Sequence, residues 1–253
     1  MATVHRITAG TGLHKGDRDY QQDQLGMWSH TRINRCLLAV VADGMGGRSG
    51  GRKASDQVLM TAKQLFDRFS PDTDPPTDLL KRLAQEAHMV IRLTAVSAEQ
   101  EPHSTLAAFL ITPDSACHWV HVGDSRIYHF KHGQLVRRTI DHSYVQSLVD
   151  KGVLTEEQAK NHPQSNVLMG CLGTEAEPPT TLHTIPNVGA GDALMACSDG
   201  VWHYFSDAEL GQLLAQHSAK EACERLVALA RARANGFGDN ISVIVVKLDP
   251  PPT

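Results

Sequence analysis

No apolar run in this 253-residue chain approaches the ~20 residues that a membrane-spanning helix requires. The first residues, MATVHRITAGTG, lack a basic stretch followed by an apolar one, so no secretory signal is expected. Positive charge is not in excess: 24 Lys and Arg stand against 28 Asp and Glu, a net charge of -4. That balance gives no electrostatic footprint for nucleic acid or an anionic membrane. The five cysteines (Cys36, Cys117, Cys171, Cys197, Cys223) are scattered, odd in number and without a C-x-x-C pair. They read as buried reduced thiols of a cytosolic protein. The 14 histidines form no H-E-x-x-H or comparable ligand spacing, so they do not point to zinc. Neither a linker nor an internal repeat divides the chain. Residues 1–248 are expected to form one domain, followed by a short polar tail at 249–253.

The apolar runs that are present are short. LLAVVA (37–42), LAAFLI (106–111), CHWVHV (117–122), RIYHF (126–130), ALMACS (193–198) and ISVIVVKL (241–248) predict strands. PDS (113–115) and KHG (131–133) lie between strand candidates and predict hairpin turns. Three- and four-residue apolar spacing predicts helices over 52–69, 77–98 and 220–234. Helices cluster instead of alternating strictly with strands. This favours an α+β fold with antiparallel sheets over a doubly wound parallel one. Between strands, 142–186 predicts a flap-like insert of two short helices and a Gly/Pro-rich return, with Thr155 and Gln158 as a capping box.

Five aspartates occupy unusual places. Asp23 lies in DRDYQQDQLG, Asp43 ends a strand before Gly44, and Asp124 lies between strands in VHVGDSRIY. Asp199 follows a strand in MACSDGVW, and Asp239 precedes the last one in GFGDNISVIVV. Any one of them alone is a turn residue. Repetition at strand mouths is what points further: strand ends that share sheets converge on one rim. Convergent carboxylates repel, so an apolar-walled cluster of them calls for cations. Oxygen ligands without Cys or His select hard ions, Mg²⁺, Mn²⁺ or Ca²⁺. Paired Mg²⁺ or Mn²⁺ suits hydrolysis at phosphorus. Arg18, five residues before Asp23, is a candidate phosphate clamp.

Taken in order, GDRDYQQDQLG, VADGMGGRSGG, STLAAFLI, VHVGDSRIY, ACSDGVW and GDNISVIVV resemble the motifs of the metal-dependent Ser/Thr protein phosphatases of type 2C. The resemblance covers nearly the whole chain. It implies two packed antiparallel β-sheets flanked by helices, an α-β-β-α sandwich. By motif, Asp43 would bridge two core Mn²⁺ or Mg²⁺ ions and the Gly44 carbonyl would ligate one. Asp199 and Asp239 would complete one shell, Asp23 would act through metal-bound water, and Arg18 would hold the substrate phosphate. Asp124, with Asp199, would hold the third, weaker ion of bacterial members. The implied reaction is direct attack of a metal-activated water on phosphoserine or phosphothreonine in a protein, opposing a Ser/Thr kinase. The implied setting is a monomer in the bacterial cytoplasm. A catalytically weak regulatory or binding module on the same fold is the alternative. Three departures stand out. Gln22 replaces a common Glu. Met45 replaces the His of eukaryotic members, their candidate general acid. Met169-Gly170-Cys171 replaces the usual Thr-Arg-Ala of the flap; the resulting Met-Gly-Cys-Leu-Gly stretch resembles members linked to type VI secretion.

Overall fold

The computed structural model describes residues 5–98 and 101–250. The chain opens with β1 (Arg6–His14), β2 (Gln24–Ser29), β3 (Leu37–Ala42) and the two-residue β4 (Gly44–Met45). Helices α1 (Gly47–Arg68) and α2 (Pro76–Ala98) follow, then β5 (His103–Ser104), β6 (Leu106–Ile111), β7 (Cys117–Val122), β8 (Arg126–Lys131) and β9 (Gln134–Arg138). Next come the short helices α3 (Tyr144–Asp150) and α4 (Glu156–Lys160), β10 (Thr181–Ile185) and β11 (Asp192–Cys197). The chain closes with α5 (Asp199–Trp202), α6 (Asp207–Gln216), α7 (Ala219–Ala234) and β12 (Ile241–Asp249).

Two five-stranded antiparallel sheets result, ordered β1-β12-β11-β8-β9 and β10-β7-β6-β3-β2, with a small β4-β5 ladder beside them. The side-chain period of two, with both faces of each sheet covered, explains why the central strands are mostly apolar on both faces. In β3, Leu38, Val40 and Ala42 pack beneath α1 and α2, while Leu37, Ala39 and Val41 face the other sheet. In β12, Ile241, Val243 and Val245 lie under the C-terminal helices, and Ile244, Val246 and Leu248 enter the layer between the sheets. Each sheet is thus covered on both faces, which gives the expected α-β-β-α sandwich.

The expected strands are found within two residues of their ends. Within the two large sheets the strands not expected are β1, β2, β9 and β10, and these are their four edges; the two-residue β4 and β5 were not expected either. An edge strand buries less and carries a weaker apolar signal: no residue of β9 or β10 is buried. In β1 the pattern is further masked by Gly10 and Gly12, where an added Cβ would sit 2.4 Å from the Ala219 carbonyl oxygen and 2.7 Å from Val227. The flap segment begins with two short helices, and Thr155 and Gln158 do close a capping box. Its return is more regular than expected, because 181–185 is β10, paired with β7. Asp249 belongs to β12, opposite Arg6, so the last strand runs one residue into the expected tail; residues 251–253 lie outside the described residues. All five cysteines are buried and free. Among the described residues no helix is long and apolar enough to cross a membrane.

Candidate metal centre

The five aspartates sit where strands of both sheets end: before β2, after β3, between β7 and β8, at the start of α5 beyond β11, and before β12. Hydrogen bonds of backbone and side chains hold several of these approaches. Asp43 N–H donates to Thr105 Oγ1 at 3.0 Å, and Thr105 N–H donates to the Asp43 carbonyl at 2.8 Å. The same Thr105 hydroxyl lies 2.6 Å from Ser125 Oγ, so the turn carrying Asp124 is tied to the end of β3. Ser198 and Ser242 hydroxyls both donate to Asp23 Oδ2, at 2.6 and 2.8 Å, linking the two sheets at buried positions. Asn240 accepts from Gln22 N–H at 2.6 Å and donates to the carbonyls of Lys15 and Tyr20, which staples down the loop bearing Arg18.

Burial and mutual repulsion act together on this cluster. Burial, then Asp23, Asp199, Asp124 and Asp239, push the Asp43 carboxyl well above the ordinary carboxylate range. Burial, then Asp124, Asp239 and Asp23, do the same to Asp199. Burial lifts Asp23 to about 6 against the pull of its two serines, and burial with Asp141 lifts Asp124 to about 7. Carboxyls raised in this way are groups held in their charged form only at a cost. Asp239 is engaged by the Arg18 guanidinium at 2.5 Å. Among the described residues no three His, Cys, Asp or Glu side chains stand as a closed ligand set. The donor set nevertheless fits hard cations: Asp23 Oδ1 and Asp199 Oδ1 are buried without a hydrogen-bond partner, in a field of like charges that a divalent ion would neutralise.

The glycine-rich segment is built around close backbone contact. An added Cβ on Gly44 would lie 2.0 Å from the Gly51 carbonyl oxygen. Helix α1 therefore begins at Gly47, five residues before the expected start, because Gly51 in its first turns must lie against Gly44. Gly46 takes φ 121 and presses against the Glu101 carbonyl. A side chain at 44 is thus excluded on steric grounds alone. Gln22 also has a local role that Glu could not fill: its amide donates to the Gly47 carbonyl at 2.6 Å. Met45 pairs with His103 across the β4-β5 ladder.

Arg18, Asp124, Asp199 and Asp239 line one cleft of about 170 Å³, together with Asn166 of the flap segment, Trp202, Tyr204 and Phe237. Trp202 Nε1–H donates to the Asp124 carbonyl at 2.9 Å, and the Arg126 guanidinium stacks 3.6 Å over the indole ring. Arg126 in turn donates from Nε and Nη2 to the two oxygens of buried Asp141, at the root of the flap segment. Thr105, Ser198, Trp202, Asn240 and Ser242 were not among the expected site residues. Four of the five stand within three positions of an expected ligand, in the segments that carried the resemblance. Their roles are hydrogen bonds that only the folded chain reveals.

A family model described as Protein phosphatase 2C matches residues 12–235. The chain is 36% identical over 214 residues to the Serine/threonine protein phosphatase PstP of Mycobacterium tuberculosis (strain ATCC 25618 / H37Rv), an alignment covering 82% of this chain and 40% of that protein. The chain therefore spans less than half the length of that relative. A solved structure of the PstP catalytic domain in complex with 2 manganese ions superposes with a TM-score of 0.80 at 29% identity, covering 97% of this chain and 100% of that one. The Serine/threonine phosphatase stp of Listeria monocytogenes serovar 1/2a is 31% identical over 239 residues, 92% of each chain. PppA of Pseudomonas aeruginosa, described as a key regulatory component of T6SS, superposes with a TM-score of 0.79 at 25% identity, covering 97% of this chain and 99% of that one.

Proposed function

The chain belongs to the protein phosphatase 2C family, and from that premise we propose that it removes phosphate from phosphoserine and phosphothreonine side chains of proteins, opposing a Ser/Thr kinase. The observation that carries this reading is the cluster of five aspartates, buried at Asp23 and Asp124 and with unpartnered oxygens on Asp23 and Asp199, beside the cleft that also holds Arg18. The two manganese ions of the PstP catalytic domain support the same reading.

Asp43, the Gly44 carbonyl, Asp199 and Asp239 would hold two core Mn²⁺ or Mg²⁺ ions, with Asp23 beside them and Asp124 and Asp199 at a third. Such ions, when bound, neutralise charge on the phosphoryl oxygens and lower the pKa of water. The chain's own residues do the rest. Arg18 is more than half exposed at the cleft, so its planar fork is available to a phosphate once Asp239 is otherwise engaged. Thr105 sets the backbone of Asp43, and the paired serines aim Asp23 into the cluster. Asn240 holds the Arg18 loop to the last strand, so the phosphate clamp and Asp239 keep a common reference. Met45 carries no exchangeable proton, so the side chain at that position does not protonate the leaving oxygen.

Residues 1–248 act in this reading as one catalytic domain with 142–186 as its flap, working as a monomer in the cytoplasm. The flap stretch and the likeness to PppA support a role in secretion control. The Arg18–Asp239 pair favours one competing reading, a regulatory module that keeps Arg18 locked and binds without turnover. Turnover of p-nitrophenyl phosphate and a phosphothreonine peptide, measured with Mn²⁺, Mg²⁺ or EDTA, separates the two. Metal-dependent release of phosphate that is lost in Asp43→Asn is the expected result. No turnover with either metal would leave the binding module.

A further inference from the structure

Phe237 is the most exposed large apolar side chain among the described residues, 90% accessible, yet its backbone is firmly held. Its N–H donates to the Ala234 carbonyl at 3.0 Å, closing the end of α7. On its other side Gly238 N–H donates to Asp17 Oδ2 at 2.7 Å, and Asp17 N–H returns to the Gly238 carbonyl at 2.9 Å. Asn235 and Gly236 both take positive φ, 48 and 88, so a tight left-handed turn delivers Phe237 outward instead of under the helix. A large ring presented to water on a pinned turn is not explained by packing, because it packs on little.

Its location supplies the explanation. Phe237 lines the same cleft as Arg18, Asp199 and Asp239, and the two hydrogen bonds between Gly238 and Asp17 tie its turn to the residue next to Arg18. Anything whose phosphate is held by Arg18 must place its neighbouring atoms within reach of this wall. We infer that Phe237 is the specificity-determining contact of the cleft and grips an apolar side chain adjacent to the phosphorylated Ser or Thr of a protein substrate. This rests on the phosphatase reading above. Rigid aromatic side chains suit such a role because little conformational entropy is lost when they bury. It also gives the chain a source of substrate choice outside the flap, where Met169-Gly170-Cys171 stands.

The test uses two phosphothreonine peptides, one with leucines flanking the phosphothreonine and one with glycines, against the wild-type protein, Phe237→Ala and Phe237→Leu. The expected wild-type preference in kcat/KM for the leucine peptide is about tenfold, the effect of partly burying one apolar side chain on a ring. Phe237→Ala should erase that ratio and Phe237→Leu should keep part of it. Binding of the matching phosphonate peptides, which cannot be hydrolysed, is measured in parallel by calorimetry. Turnover with no Phe237-dependent preference overturns this inference and leaves the phosphatase reading standing. Phe237-dependent preference in binding without any turnover does the reverse. Neither turnover nor preferential binding overturns both.

Discussion

Asp23 offers a quantitative test of whether the aspartate cluster is built for cations. It is 1% exposed, one oxygen accepts from Ser198 and Ser242, and the other has no partner. Burial lifts its pKa from 3.8 to about 6. In the native state the carboxyl therefore holds its proton to about pH 6, whereas in the unfolded chain it is lost near 3.8. Between those values the native state binds more protons, so stability falls as pH rises, and the penalty is complete above about pH 6. The rise corresponds to about 3 kcal/mol of destabilisation at pH 7.5 in the absence of metal. Asp23→Asn keeps the shape and removes the charge. In EDTA at pH 7.5 it should stabilise the protein by about 2 kcal/mol, less than the full penalty because the amide pairs imperfectly with two hydroxyls. At pH 4 the gain should shrink toward zero. Saturating Mn²⁺ should reverse the order, because metal at 100 times its Kd adds about 2.7 kcal/mol to the wild type and less to a variant lacking one charge of the cluster. Urea unfolding followed by circular dichroism in the three conditions measures all of this. A variant less stable than wild type in EDTA at pH 7.5, or a gain independent of pH, would refute the reasoning.

Thr105→Val preserves volume but strands the Asp43 N–H and removes the partner of Ser125, so it should lower stability by about 1–3 kcal/mol in denaturant melts and weaken Mn²⁺ binding by calorimetry. Gly44→Ala would set a Cβ 2.0 Å from the Gly51 carbonyl, a backbone contact that cannot swing aside; a loss of about 3 kcal/mol or more is expected, and an unchanged melting temperature would contradict the packing described. Arg18→Ala removes an exposed ion pair, so the melting temperature in EDTA should move little, while inhibition by inorganic phosphate should weaken about tenfold or more.

The difference between the edge strands and the central ones shows what pattern reading detects. LLAVVA is apolar at every step, and ISVIVVKL at all but Ser242 and Lys247, because a covered sheet buries both faces of a strand. RITAGTGLH is just as much a strand, paired along its whole length with β12, but Gly10 and Gly12 lie against α7 where side chains have no room. The early start of α1 was hidden for a related reason. A run of glycines speaks against a helix on propensity, and a tertiary contact between Gly51 and Gly44 overrides it.

The site was legible to the depth of its charges and no further. An aspartate at a strand mouth is visible as a letter, and five such letters imply convergence. The groups that aim them are not visible in this way, because Ser198, Ser242 and Thr105 are common strand and turn residues whose partners lie up to 219 residues away. Gln22 illustrates the limit most clearly. Judged by its letter it is a tolerated loss of charge next to a proposed ligand. In the fold its amide donates to Gly47 while its carbonyl accepts from Ser55, so it locks the first turns of α1 to the strand that Asp23 precedes. A carboxylate there would add a further negative charge beside the cluster and could not donate to that carbonyl. The amide is therefore a positive requirement of this helix start, and the departure at 22 and the early glycine-rich turn of α1 are one structural feature.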